Sequence, residues 1–153
     1  MEQAARPPRS RPAAARHPVL PWNVPTGRPP PRRGDRRLWL DGDLYFTSGP
    51  GTRKARNLAA NPPCTISVRL DGIDLVLEGE ATRVADRPTL EQAAGLYREG
   101  GWLAEVEGDA FTAPFSAPSA GPPPWHLYRF TFHAAFGVAT AEPYGATRWR
   151  FER

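Results

Sequence analysis

Two Asp-Gly pairs, Asp41-Gly42 and Asp71-Gly72, each separate two strand-forming runs and commit much of this chain to antiparallel hairpins. The first joins Leu38-Trp39-Leu40 to Leu44-Tyr45-Phe46-Thr47. The second joins Cys64-Thr65-Ile66-Ser67-Val68-Arg69-Leu70 to a strand from Asp74 to Val84, in which Leu75, Leu77, Gly79 and Ala81 alternate with Val76, Glu78, Glu80 and Thr82. Between the hairpins, Arg53 to Ala60 reads as a short helix stopped by Asn61-Pro62-Pro63. Asp86 to Arg98 reads as a second helix, with Pro88 at its start and Leu90, Ala93, Ala94 and Tyr97 on one apolar face. Residues 108–124, rich in Gly, Ala, Ser and Pro, read as a mobile loop. Trp125 to Ala139 is a long aromatic strand, and Ala146 to Phe151 a last one. The expected fold class is mainly β with α: an antiparallel split β-barrel with short covering helices.

The vocabulary changes abruptly at Leu38. Residues 1–37 hold nine arginines against Glu2 and Asp35, and nine of the 19 prolines. Residues 38–153 hold eleven Lys/Arg against fourteen Asp/Glu, so the net charge of +4 belongs to the tail and not to the domain. Apolar residues before Leu38 follow neither a helical nor a strand period, and the segment reads as a disordered Pro/Arg-rich tail. Clustered arginines can grip a phosphate backbone. With no interleaved aromatic except Trp22, however, an unstructured tail is the simpler reading and nucleic acid is not an expected partner.

The remaining composition bounds the function classes. A chain of 153 residues fits one domain with a sizeable core. It has neither an apolar run long enough to span a bilayer nor a signal-like segment near its start, so a cytoplasmic, membrane-independent protein is expected. The single Cys64 excludes an internal disulfide framework. His17, His126, His133 and Cys64 form no metal-ligand spacing. No nucleophile or catalytic dyad stands out, and the catalytic residues stay unassigned.

Chemistry concentrates in Gly49-Pro50-Gly51-Thr52-Arg53-Lys54-Ala55-Arg56-Asn57-Leu58, directly after the strand ending at Thr47. Glycines let the backbone turn tightly, Thr52 is a good N-cap, and a helix N-terminus favours an anion. Arg53 and Lys54 add two cations there. The run reads either as a phosphate-gripping turn or as a capped surface helix with solvated charges.

The ordered series of Trp39 to Thr47, Gly49 to Leu58, Asn61-Pro62, Asp71-Gly72, Glu78-Gly79-Glu80-Ala81 and Ala146-Thr147-Arg148-Trp149-Arg150-Phe151 resembles the pyridoxamine 5′-phosphate oxidase-like family of flavin-binding split barrels. The resemblance covers residues 38–153. It implies a homodimer that holds FMN, or a deazaflavin coenzyme in a sister branch, between protomers, and a flavin-dependent oxidoreductase acting on a small organic substrate. It also implies roles for single residues. Phe46 and Thr47 pass beside the flavin and its phosphate arm, Arg53 and Lys54 hold the phosphate, and Thr52 and Asn57 assist. Trp149 and Arg150 approach the ring, often from the second protomer. A non-catalytic flavin or haem carrier, or a truncated inactive member, is the alternative.

One departure stands out. Family members carry two further strands before the Trp39 hairpin, where this chain has the Pro/Arg-rich Arg28 to Arg37. A Pro/Arg/Ala/Gly vocabulary is what a GC-rich frame yields when translated out of register. Our hypothesis from the sequence is that residues 1–37 derive from a frameshift or a misplaced start, so that the domain lacks its first strands. Resequencing that found the frame intact would overturn it.

Overall fold

The computed structural model describes residues 19–20, 37–115 and 121–152. The expectation of a disordered or frameshifted tail therefore lies outside the described residues, except at Val19–Leu20 and Arg37. In chain order the strands are β1 (Val19–Leu20), β2 (Arg37–Leu40), β3 (Asp43–Ser48), β4 (Pro63–Leu70), β5 (Ile73–Val84), β6 (Glu105–Glu107), β7 (Ala110–Thr112), β8 (His126–Ala139) and β9 (Ala146–Arg150). The helices are α1 (Arg53–Ala60) and α2 (Arg87–Glu99). The main sheet runs β1-β4-β5-β8-β3-β2, with β9 also paired to β8; β6 and β7 form a separate hairpin. All pairings are antiparallel except β1 with β4, where Val19–Leu20 lie beside Thr65 and Ile66.

Both Asp-Gly turns form, with Gly42 and Gly72 at positive φ. Asp41 and Gly42 both take positive φ, 51° and 80°, the geometry that lets a two-residue loop follow the strand twist. The helices sit where their caps place them. Thr52 caps α1 by accepting from the Ala55 N–H, and Asp86 caps α2 by accepting from Thr89.

The sheet closes part-way into a barrel. Leu44 and Phe46 of β3 share one buried cluster with Cys64, Ile66 and Val68 of β4, although β5 and β8 stand between those strands. A flat sheet would hold β3 and β4 roughly 14 Å apart, so the sheet curls until their inner faces meet. No ladder joins β3 to β4. Instead α1 bridges the opening and inserts Ala55 and Leu58 into the core. The outer side of β3 and β8 is covered by α2, whose Leu90, Ala93, Ala94 and Tyr97 pack with Tyr45, Val84 and Leu127. This is the expected fold class: mainly β, antiparallel, incompletely closed and capped by two helices.

The curl has a local cause. Along β5 and β8, Glu78 pairs with Ala134 but Gly79 pairs with Phe132, which leaves His133 as an extra residue, a β-bulge. The His133 carbonyl accepts instead from the Phe151 N–H at 2.9 Å. Gly79 permits the close approach. A Cβ there would strike the Thr131 carbonyl oxygen and lie 2.6 Å from the Phe132 Cα.

Of the segment expected to be a mobile loop, the described residues 108–115 and 121–124 are tied to the fold, which corrects the reading for them. Gly108, with a φ of 61°, turns β6 into β7, and Phe111 pairs with Trp125 by reciprocal backbone bonds of 2.8 and 2.9 Å. Phe111 and Trp125 are fully buried with Tyr97 and Trp102 in an edge-to-face aromatic cluster. Trp102 is therefore a core residue. One aromatic in a run of small residues supplies the anchoring, and its partners are distant in sequence.

Gly79→Ala is expected to destabilise the protein by about 1–3 kcal/mol or more, because the atoms it meets are backbone and cannot rotate away. Urea unfolding measures this. Gly51→Ala, where nothing lies within 4 Å of the added carbon, serves as the near-neutral comparison.

Candidate functional site

The turn between β3 and α1 is built from its own side chains. The Thr52 hydroxyl donates to the Gly49 carbonyl at 2.9 Å and accepts from the Ala55 N–H at 3.1 Å. With its one proton committed, it accepts from the Ser48 hydroxyl at 2.8 Å. Arg56 reaches back to donate to the Gly51 carbonyl at 2.6 Å. The loop is thus tied down at both ends. The first-turn N–H groups of α1, which a helix leaves without intrahelical partners, are presented at its start together with the partial positive charge of the helix.

The two predicted cations differ in setting. Arg53 is exposed. Lys54 is half-buried, with its ammonium 5.1 Å from the centre of the Phe46 ring. Phe46 in turn stacks on Tyr128 at 5.3 Å. Burial, and secondarily the Arg37 guanidinium, pull the Lys54 pKa down to about 8. The folded protein therefore bears the cost of a charged Lys54 at neutral pH. That cost is relieved as pH rises from about 8 toward the ordinary lysine value. An anion held at this point would offset the same cost.

The other predicted residues are distributed as strand and helix periodicity dictates. Thr47 is 2% exposed, and its hydroxyl is buried with no hydrogen-bond partner among the described residues. It is paired with Leu127 on the side of the sheet facing α2, opposite to Phe46. Asn57 is exposed one turn along α1 from Arg53, on the same stripe. Trp149 and Arg150 are consecutive in β9 and so face opposite sides. Trp149 pairs with Ala135 of the inner core and packs its ring over Gly137, where a Cβ would lie 2.7 Å from it. Arg150 pairs with Ala134 on the other face. Within one chain both sit against the far half of β8, whereas Phe46 pairs with Tyr128 in the near half, roughly 20 Å away along the strand. The structure gathers Phe46, Thr52 and Lys54 with the neighbouring Arg53. It does not bring Trp149 or Arg150 to them.

Sequence reading missed three contributors. Ser48 supports the cap, and its place four residues before Thr52 across a Gly-Pro-Gly loop was the available sign. Arg56 pins the loop. Arg37, grouped with the tail by composition, lies across from Phe46 in the β2–β3 ladder and perturbs Lys54.

Burial pushes the Cys64 thiol up to about 11, which keeps it protonated and unreactive at neutral pH. Burial, and then Arg83, lower the pKa of His126, which lies across from Ser48. Among the described residues no group of three or more His, Cys, Asp or Glu is placed to hold a metal ion. No helix there is long and apolar enough to cross a membrane.

No family model matches the chain, and no curated protein does. Several solved structures are similar to part of it. One is a pyridoxamine 5′-phosphate oxidase-related, FMN binding protein from Nostoc punctiforme, at 14% identity over 76% of this chain and 77% of the other, with a TM-score of 0.46. Another is a NimC/NimA family protein from Clostridium acetobutylicum, at 16% identity over 74% and 70%, TM-score 0.47. A third is PhzG from Burkholderia lata, solved with tetrahydrophenazine-1-carboxylic acid, at 17% identity over 76% and 66%, TM-score 0.44. At such identities and TM-scores these structures decide nothing about this chain's chemistry, which is read from the turn.

Thr52→Ala is expected to cost about 1 kcal/mol, within a usual range of roughly 0.5–2 for a lost N-cap. It removes the acceptor of two hydrogen bonds, from Ser48 and from the Ala55 N–H. Chemical denaturation checks it, and Thr52→Ser should recover most of the loss.

Proposed function

We propose that the chain binds flavin mononucleotide with its phosphate on the turn from Ser48 to Lys54 and acts as a flavin-dependent oxidoreductase on a small organic substrate. The observation that carries this reading is Lys54. The lysine is held partly desolvated over Phe46, beside the capped N-terminus of α1, with Arg37 near enough to depress its pKa. A phosphate dianion is the ligand whose charge and acceptor oxygens match that set of donors. Thr52 and Ser48 preset the turn, Arg53 and Lys54 supply charge, and Phe46 with Tyr128 forms an apolar floor beneath. When bound, the flavin supplies the hydride or electron transfer, while the protein orients it and shapes the substrate pocket. The deep Thr47 hydroxyl faces α2 and is not assigned to the ligand.

The positions of Trp149 and Arg150 bear on assembly. Both lie against the other half of β8 from the turn, so under this reading a residue of β9 meets the flavin from a second copy of the chain. A homodimer is proposed accordingly, acting in the cytoplasm.

Two measurements test the assignment. Purified protein titrated with FMN should develop a bound-flavin spectrum, and Arg53→Ala/Lys54→Ala should weaken binding tenfold or more, since each charge-assisted contact contributes about 1.5–3 kcal/mol. Unchanged affinity in that variant would remove the site from consideration. A chain that ignores FMN but takes the deazaflavin coenzyme would move the assignment to that cofactor.

The second measurement is pH dependence. FMN affinity should fall as pH rises through about 8, where Lys54 gives up its proton in the free protein. Lys54→Arg should flatten the fall, because guanidinium stays charged. A flat profile in the unaltered chain would show that Lys54 is not a phosphate ligand.

A further inference from the structure

Both hydroxyl protons of the β3–α1 turn are committed. Thr52 donates to the Gly49 carbonyl at 2.9 Å, and Ser48 donates to Thr52 at 2.8 Å. An anion placed on the turn therefore meets lone pairs, and not O–H donors, on the side that β3 provides. A donor for that side has to come from another element. His126 stands directly across from Ser48 in the β3–β8 ladder, two residues along each strand from the Phe46–Tyr128 pair. Phe46 and Tyr128 belong to the inner core, so Ser48 and His126 share that inner side with them. Opposed residues hold their Cβ atoms roughly 4.5–5.5 Å apart. The half-buried imidazole is thus neighbour to the Ser48–Thr52 pair that caps α1.

The groups around His126 govern its charge. Arg83 of β5 and Asp109 of the β6–β7 turn both act on it, and they are bonded to each other at 2.6 Å, so their opposite charges largely offset. On the β3 side stands the uncharged Ser48, and beyond it the cationic start of α1 with Lys54. Burial, and then Arg83, disfavour the imidazolium, while Asp109 opposes them. The ring is therefore neutral at neutral pH in the free protein. A phosphate dianion beside it would favour the imidazolium and draw a proton from solvent. Packing alone accounts for a buried neutral histidine. It does not account for one set opposite a turn whose own hydroxyls cannot donate.

We propose that His126 is a phosphate ligand, donating a ring N–H to the anion from across the turn and taking up a solvent proton as the anion binds. This deepens the phosphate reading of the turn and rests on it. Affinity for the phosphate-bearing ligand then depends on protons at both ends of the neutral range. As pH falls through the ordinary histidine value of about 6.5, His126 adds a charge to the occupied site and strengthens binding. As pH rises through about 8, Lys54 loses a charge and binding weakens.

Calorimetric titration of the full chain with FMN at about pH 6.5, in buffers of different ionisation enthalpy, counts the protons exchanged. The unaltered chain should take up more protons per FMN than His126→Gln does. The second ionisation of the phosphate itself, near pH 6, enters both titrations alike. His126→Gln should weaken FMN roughly tenfold at about pH 6 and much less at about pH 8. His126→Lys, whose charge does not titrate in this range, should restore the affinity at the lower pH. Equal proton uptake in the unaltered chain and His126→Gln, equal affinity at the lower pH, or a His126→Lys variant as weak as His126→Gln overturns the proposal. Arg53→Ala/Lys54→Ala in the same series separates the two readings. FMN binding that needs Arg53 and Lys54 but ignores His126 sinks this inference alone. An unaltered chain that takes no FMN sinks the phosphate reading, and this inference with it.

Discussion

The pairing of β5 with β8 bears the rest of the molecule, and its decisive contact is the backbone of Gly79 pressed against Thr131 and Phe132. With no side chain at that point, the two longest strands can approach, slip register by one residue at His133 and bend. The bend brings the inner face of β3 to that of β4 and makes a core from strands that are not neighbours in the sheet. It also sets where β8 exchanges one flanking partner for another.

Of the two helices α1 acts as a stopper, whereas α2 lies over the outer face of β3 and β8. α1 is only eight residues long, too short to persist alone in water. It is held by Thr52 at its start, by Ala55 and Leu58 in the core and by Arg56 on the preceding loop. The same restraints fix the position of its N-terminus, so the element that closes the barrel also orients the anion-attracting groups. Lys54 joins the two roles. Its stem lies against Phe46, and its charge is kept where water is scarce.

Much of this was legible in the chain. The Asp-Gly turns, the Thr52 and Asp86 caps, the Asn61-Pro62-Pro63 stop and the Leu90-Ala93-Ala94-Tyr97 face are local signals, and each element they mark is present. The β6–β7 hairpin was not legible. Its strands are three residues each and are stabilised by Phe111 meeting Tyr97, Trp102 and Trp125, a grouping no local window contains. At the site, Thr52, Arg53 and Lys54 could be read from one contiguous run. Arg37 could not, because only the β2–β3 register brings it across from Phe46.

By itself the sequence determined the hairpins, the two helices with their ends, and the presence of two cations at a capped helix start. Turn geometry, capping and periodicity act over a few residues and leave their marks in order along the chain. Tertiary structure decided which faces those residues show and what stands beside them. Phe46 and Thr47 point to opposite cores, Trp149 and Arg150 to opposite sides of β9, and Trp39 meets Phe132 edge-to-face from a strand distant in sequence. Each follows from register and curl, which depend on a bulge near the middle of β8 and on which strands happen to meet there. Neither is encoded within any one segment.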